Sequence, residues 1–285
     1  MPCDIVAEPG HPVNQKRSPN KELYVIRTAE PCCGPSAVPA EADSTLPSAM
    51  ATNARPSPRV TAQARTRALR LADALRDQYA DAHCELVFEN PLQLLVATIL
   101  SAQATDVSVN KVTPALFAAY PTAQAFARAS PAEIEPFIRS IGLFRSKAKS
   151  IHDSCKMLVE RFGGEVPRTM DELLQLRGVA RKTANVVLGN CFNINVGFVV
   201  DTHIQRLAIR FGLAKPGENP QKIEQRLMAL LPQDRWCELS HQFIWHGRRA
   251  CKARGVACDG HPICSEFGTA CELRVSAKKN RTRST

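Results

Sequence analysis

Chemistry in this chain can be carried by a lysine at one helix opening, an aspartate at another, and a late run of cysteines. Lys182 stands in LRGVARKTANVVLGN, residues 176–190, where a helix ends, a glycine turn follows, and a new helix opens with Arg181, Lys182 and Thr183. The unpaired backbone N–H groups of such an opening, with the positive end of the helix dipole, suit a phosphate oxygen. A cation is electrostatically misplaced there and adjacent Arg181 adds repulsion, so the position favours the neutral amine that Schiff-base chemistry needs. A phosphate-binding lysine or a plain packing turn explains the same residues without catalysis. Nineteen residues later Asp201 follows the apolar Val199-Val200 at another helix opening, where an aspartate ordinarily caps the helix. Of eleven cysteines, Cys251, Cys258, Cys264 and Cys271 crowd one short segment, a pattern of metal or cluster binding rather than of a disulfide scaffold.

The elements that must position these groups are helical. Leu69, Ala72, Leu75 and Tyr79 keep the spacing of one buried helix face, and Pro91 opens a second helix, PLQLLVATILSAQ. Asp106 to Phe117 makes a third. Pro131 starts a short fourth after the cap-like Ser130, and Ile151 to Phe162 marks another, stopped by Gly163-Gly164. Further helices are expected at about 170–176, 181–190, 201–211, 220–230 and 234–247, with Val196 to Val200 as a short strand-like run. The fold class is all-α.

Charge narrows the partner. The 285 residues carry a formal net charge of +10, which points to an acidic partner such as nucleic acid. Residues 1–60 hold six basic and six acidic residues, so the excess belongs to 61–285. Ten of the twenty prolines and no regular period make 1–60 a disordered tail, in which Met50 is an alternative start. The longest apolar run, Leu94 to Leu100, is too short for a membrane span, and the N-terminus lacks a secretory pattern. The chain reads as cytoplasmic, nucleoid-associated in a bacterium.

LLVATILSAQATDVSVNK, IGLFRSKA, GEVP, GVARKTANVVL, VDTHIQRL and HGRRACKAR together resemble the endonuclease III family of base-excision DNA glycosylases, from about residue 62 to 272. The resemblance implies the helix-hairpin-helix glycosylase fold, with a helical barrel over 84–195 and a second helical domain made from 61–83 plus 196–272. A basic tail covers 273–285. It implies a bifunctional glycosylase and abasic-site lyase acting, as a monomer, on oxidised pyrimidines in double-stranded DNA. Lys182 matches the nucleophile and Asp201 the catalytic carboxylate. Gln103 and Leu143 match residues that enter the duplex where the damaged base is flipped out; by themselves they read as a helix-end polar group and a core leucine. Gly178, Val179, Ala180, Arg181, Thr183 and His203 fall at the DNA contact, as do Lys252 and Arg254, whose loss should lower affinity and salt dependence.

The family also implies a [4Fe–4S] cluster on Cys251, Cys258, Cys264 and Cys271. The gaps here are six, five and six residues, the second longer than usual, and His261 lies near Cys258, so a Cys/His zinc site competes. In the hairpin, Arg177 replaces the usual proline and Ala180 the second glycine. If Ala180 must adopt positive φ, it costs roughly 1 kcal/mol. A monofunctional adenine or mismatch glycosylase would lack a lysine nucleophile, and a non-catalytic DNA-binding or redox-sensing protein would not need both Lys182 and Asp201.

Overall fold

The computed structural model describes residues 60–254 and 260–271, all within one compact unit, Ala54–Thr285. The expected tails, 1–60 save Val60 and 273–285, and Cys258 lie outside the described residues.

Most helices begin where a small polar residue can accept a backbone N–H of the first turn, each such cap contributing about 1 kcal/mol. Thr61 opens α1 (Ala62–Gln78), Asn90 opens α2 (Pro91–Ser101), and Thr105 opens α3 (Asp106–Ala119). Thr122 caps α4 (Ala123–Arg128), and Ser130 forms a reciprocal capping box with Glu133 in α5 (Pro131–Ile138). The long α6 (Phe144–Phe162) ends on Gly163 at φ 63°, a left-handed stop that glycine adopts without strain. There follow α7 (Met170–Leu173), α8 (Arg181–Phe192), α9 (Thr202–Arg210), α10 (Pro220–Leu230), α11 (Trp236–Arg249) and α12 (Pro262–Phe267).

Two apolar clusters form the interior. One joins Leu94, Leu95 and Leu100 of α2 with Phe126, Ile134, Ile151, Leu158 and Leu188. The other joins Leu71 and Leu75 of α1 with Phe198, Ile204, Leu207, Ile223, Leu227 and Phe243. Helix α8 packs on both α2 and α11, and at Gly189 a Cβ would sit 2.8 Å from Cys237 Sγ of α11. Close approach of these two helices therefore needs glycine there.

Three local expectations change. No strand occurs among the described residues, and 196–200 is irregular extended chain. Its β-branched residues have no neighbouring strand to pair with, and Phe198 instead buries its ring edge-on against Phe243. Leu69 is 37% exposed, the buried face of α1 being Ala68, Leu71, Ala72 and Leu75. The short α4 escapes the periodicity because six residues hold barely more than one apolar turn.

Candidate active site

The turn that introduces α8 is seated on α6. Gly178 has φ 79°, and any Cβ there would lie 3.0 Å from Ser150 Cβ. Ser154 Oγ donates to Arg177 O at 2.7 Å, and the Arg177 guanidinium pairs with Asp153 at 3.1 Å. A long-range ion pair thus holds the turn where a proline would have stiffened it. Ala180 has φ −99° and ψ 170°, ordinary extended backbone, so the strain that positive φ would have brought is absent. As N-cap of α8 its methyl offers no acceptor, which leaves the first-turn N–H groups of α8 without a side-chain cap. The Val179 N–H is already engaged by Leu176 O.

Lys182, in that first turn, and Asp201, the N-cap of α9, line one cavity of about 90 Å³. Its walls come from both apolar clusters, Leu86 and Val186 on one side and Ile244 and Trp245 on the other. Asp201 does cap its helix: Oδ1 accepts from Ile204 N at 2.8 Å. A cap of this kind uses one carboxylate oxygen and fixes the direction of the second.

Asp106, at the start of α3, belongs to the same cavity. Burial pushes its carboxyl above the usual carboxylate range; the charge of Asp201 pushes the same way, while Lys182 and His203 oppose it. These four groups are therefore within electrostatic reach of one another. Arg248 Nη2 pairs with Asp106 at 2.7 Å, and Arg248 Nη1 pairs with Glu85. Sequence reasoning gave Asp106, Glu85 and Arg248 no role, since these ion pairs join residues more than 140 positions apart. In the cavity wall, His241 Nε2 donates a 2.8 Å hydrogen bond to Asn190 Oδ1, and burial pulls its pKa down to about 4.

Gln103 and Leu143 share an uncommon property. Both are exposed residues other than glycine in left-handed backbone, at φ 56° and 60°. Leu143 is 62% exposed, which removes the core-leucine reading. Lys147 of α6 ties the two together: it is 5% exposed, and its Nζ donates to Leu100 O at 2.9 Å and Ala102 O at 2.6 Å, at the end of α2. Its own N–H donates to Leu143 O.

The remaining candidates do not line this cavity. Arg181 folds back onto Glu224, with Nε 2.9 Å from both carboxylate oxygens, rather than extending outward. Thr183 is half-buried on α8, and Lys252 and Arg254 are exposed. His203 Nδ1 lies 3.2 Å from Arg206 Nη2, and its Cβ packs against Gly247 of α11.

Cys251, Cys264 and Cys271 are all buried. The ligand atoms of Cys251, Cys264 and His246 lie within 4.8 Å of one another, a Cys/His group able to hold a metal ion. The histidine in this group is His246, not the expected His261, whose ring stacks edge-on against it. A hydrogen bond from Cys264, with further ones from His246 and Arg210, holds the Cys251 thiol down at about 3, as a thiolate ready for metal.

Comparison with known proteins adds a separate line. Residues 96–233 match the family model described as HhH-GPD superfamily base excision DNA repair protein. Endonuclease III of Synechocystis sp. is 51% identical over 208 residues, 73% of this chain and 92% of that protein. Endonuclease III of Escherichia coli K12 is 40% identical over 190 residues, covering 67% and 89%. A solved structure of a trapped endonuclease III–DNA covalent intermediate aligns with TM-score 0.70 at 40% identity, over 74% of this chain and 98% of that one.

Proposed function

Since the chain belongs to the endonuclease III family, it is a bifunctional DNA glycosylase and abasic-site lyase, and we propose that Lys182 is its nucleophile and Asp201 its catalytic carboxylate. The observation that carries this assignment is that an amine on an uncapped helix opening and a carboxylate oriented by its own helix cap line one cavity.

On this reading, the damaged nucleotide of double-stranded DNA is extruded into the cavity, at lowest cost when its base stacks poorly, as an oxidised pyrimidine does. The Lys182 amine attacks C1′ of the sugar and the C1′–base bond breaks, the electron pair leaving with the base. Asp201 accepts the lysine proton or stabilises positive charge on the sugar. Ring opening gives an imine between Lys182 and C1′. The imine acidifies the 2′ proton, whose loss expels the 3′ phosphate and cuts the strand on the 3′ side. The N–H groups of the α8 opening, with Gly178, Ala180 and Thr183 around them, receive a backbone phosphate. Gln103 and Leu143 enter the gap left by the extruded base; their left-handed backbone is a strain of the kind found at working sites.

We assign the late cysteines to a [4Fe–4S] cluster on Cys251, Cys258, Cys264 and Cys271. The buried Cys251, Cys264 and Cys271 and the guanidinium of Arg210 beside Cys251 suit such an anionic thiolate set. Held by these thiolates, the group would brace the segment in which Lys252 and Arg254 face DNA phosphates. The same reading makes the enzyme a monomer, working in the cytoplasm with two functional halves, 84–195 and 61–83 plus 196–272. No helix among the described residues is long and apolar enough to cross a membrane.

Borohydride trapping on duplex DNA carrying thymine glycol or an abasic site tests the assignment. Wild type should give a covalent adduct, and Lys182→Ala should give none. An undiminished adduct with Lys182→Ala would place the nucleophile elsewhere.

A further inference from the structure

One buried carboxylate touches every segment that holds the two catalytic groups. Glu224 lies on α10, whose Ile223 and Leu227 are packed in the same apolar cluster as Ile204 and Leu207 of α9. Its side chain is 10% exposed and leaves that cluster to reach α8. There it receives Arg181 Nε at 2.9 Å, the residue directly before Lys182, and Asn185 Nδ2 at 3.2 Å, three residues after it. Asn185 is 5% exposed, and its Oδ1 is buried with no hydrogen-bond partner, so the contact with Glu224 is what orients the amide.

The same carboxylate also bears on the chain leading to Asp201. A Cβ at Gly197 would collide with Glu224 Oε1 and come within 2.5 Å of Asn185 Nδ2. Gly197 opens the extended segment that ends four residues later at Asp201, and only a residue without a side chain lets this segment lie on the Glu224–Asn185 pair. Arg181 Nη2 additionally reaches Val196 O at 3.5 Å. Arg181, Asn185 and Gly197 thus converge on one anion, which bridges the lysine-bearing helix and the aspartate-bearing segment.

We propose that Glu224 is a positioning residue that sets the register of Lys182 against Asp201, and that Arg181 serves as its partner rather than as a DNA contact. The proposal rests on the catalytic assignment above. Glu224 touches no reacting atom in this role; it acts through Arg181 and Gly197. Its effect should therefore appear in the covalent step and not in the capture of DNA, because misplacement of reacting groups by about 1 Å costs on the order of 100-fold in rate.

The test compares wild type, Glu224→Gln and Gly197→Ala, each first checked for wild-type helical content by circular dichroism. Two quantities are measured: the Kd for duplex DNA containing a tetrahydrofuran abasic analogue, and the single-turnover rate of borohydride-trappable adduct formation on abasic-site DNA. The expected result is a rate lower by roughly 10- to 100-fold in both variants, with Kd within about threefold of wild type. Glu224→Gln keeps the size of the side chain and loses the anion, while Gly197→Ala disturbs the contact from the other side. Equal rates in wild type and Glu224→Gln would overturn the proposal while leaving the catalytic assignment intact. Loss of DNA binding in proportion to rate would also overturn it, making Arg181–Glu224 part of the DNA interface. Failure of both variants to fold would assign the network to folding alone. No adduct from wild type would instead refute the catalytic assignment, and this proposal with it.

Discussion

Replacing Lys147 by methionine should loosen the link between Gln103 and Leu143, and the structure sets the size of the effect. Lys147 is 5% exposed, and its ammonium donates to Leu100 O and Ala102 O at the carboxyl end of α2. Methionine keeps the apolar stem and removes both donors. Ala102 is exposed, so its carbonyl regains water; that of buried Leu100 loses a charged donor at a cost of about 1–3 kcal/mol. Loss of a cation at a helix carboxyl end adds roughly 0.3–2 kcal/mol. Burial also disfavours the charge, as the lowered pKa of Lys147 shows, and its removal returns part of this. The net expectation is a loss of about 2 kcal/mol, equivalent to a Tm lower by roughly 4–8 °C for a folded region of this size. Thermal unfolding followed by circular dichroism measures that. Excision of a base-paired lesion should fall further than cleavage at a preformed abasic site, where no base has to be unstacked. A Tm within about 1 °C of wild type, or equal losses on the two substrates, would refute the reasoning.

Two other outcomes follow from the site. Purified protein should contain iron and acid-labile sulfide, about four of each per chain, and Cys251→Ala should lose both together with the visible absorption. One zinc per chain without sulfide would overturn the cluster assignment. His241 has a folded pKa of about 4 against about 6.5 when unfolded, so the unfolded chain binds the extra proton between these values. Its contribution makes stability fall as pH drops from about 6.5 to about 4. His241→Gln should flatten the denaturation-versus-pH curve in that window by roughly 2–3 kcal/mol, and an unchanged slope would show that His241 is not the group responsible.

The parts legible in the sequence are those written in local chemistry. Asn90-Pro91 and Ser130-Pro131 announce the starts of α2 and α5, and Gly163 marks the end of α6, because a cap or a left-handed stop is decided within a few residues. Lys182 and Asp201 were accessible for the same reason: each sits at a helix opening, within a segment that resembles the family. The strand-like reading of Val196 to Val200 failed because β-branched residues favour extended backbone but do not supply a pairing partner. The ion pair of Arg181 was hidden on similar grounds. Beside Lys182 it reads as a free cation, and its acceptor, Glu224, lies 43 residues away on α10. Asp106, Glu85 and Arg248 show the same limit, since nothing near any of them in the chain signals the other two.

The division of the interior also bears on how the polypeptide assembles as it emerges from the ribosome. The cluster around Leu94, Phe126, Ile151 and Leu188 is drawn from one continuous stretch of chain and is complete soon after α8 has been made. Helix α1 is synthesised earlier, yet its face of Leu71 and Leu75 is covered by α10, α11 and α12, which arrive last. Domains fold as units once their residues are available. In a nascent or prematurely terminated chain the helix that carries Lys182 is thus seated before the helices that cover α1 exist. An incomplete polypeptide therefore holds one wall of the cavity before Ile244 and Trp245, which form the other, have been made.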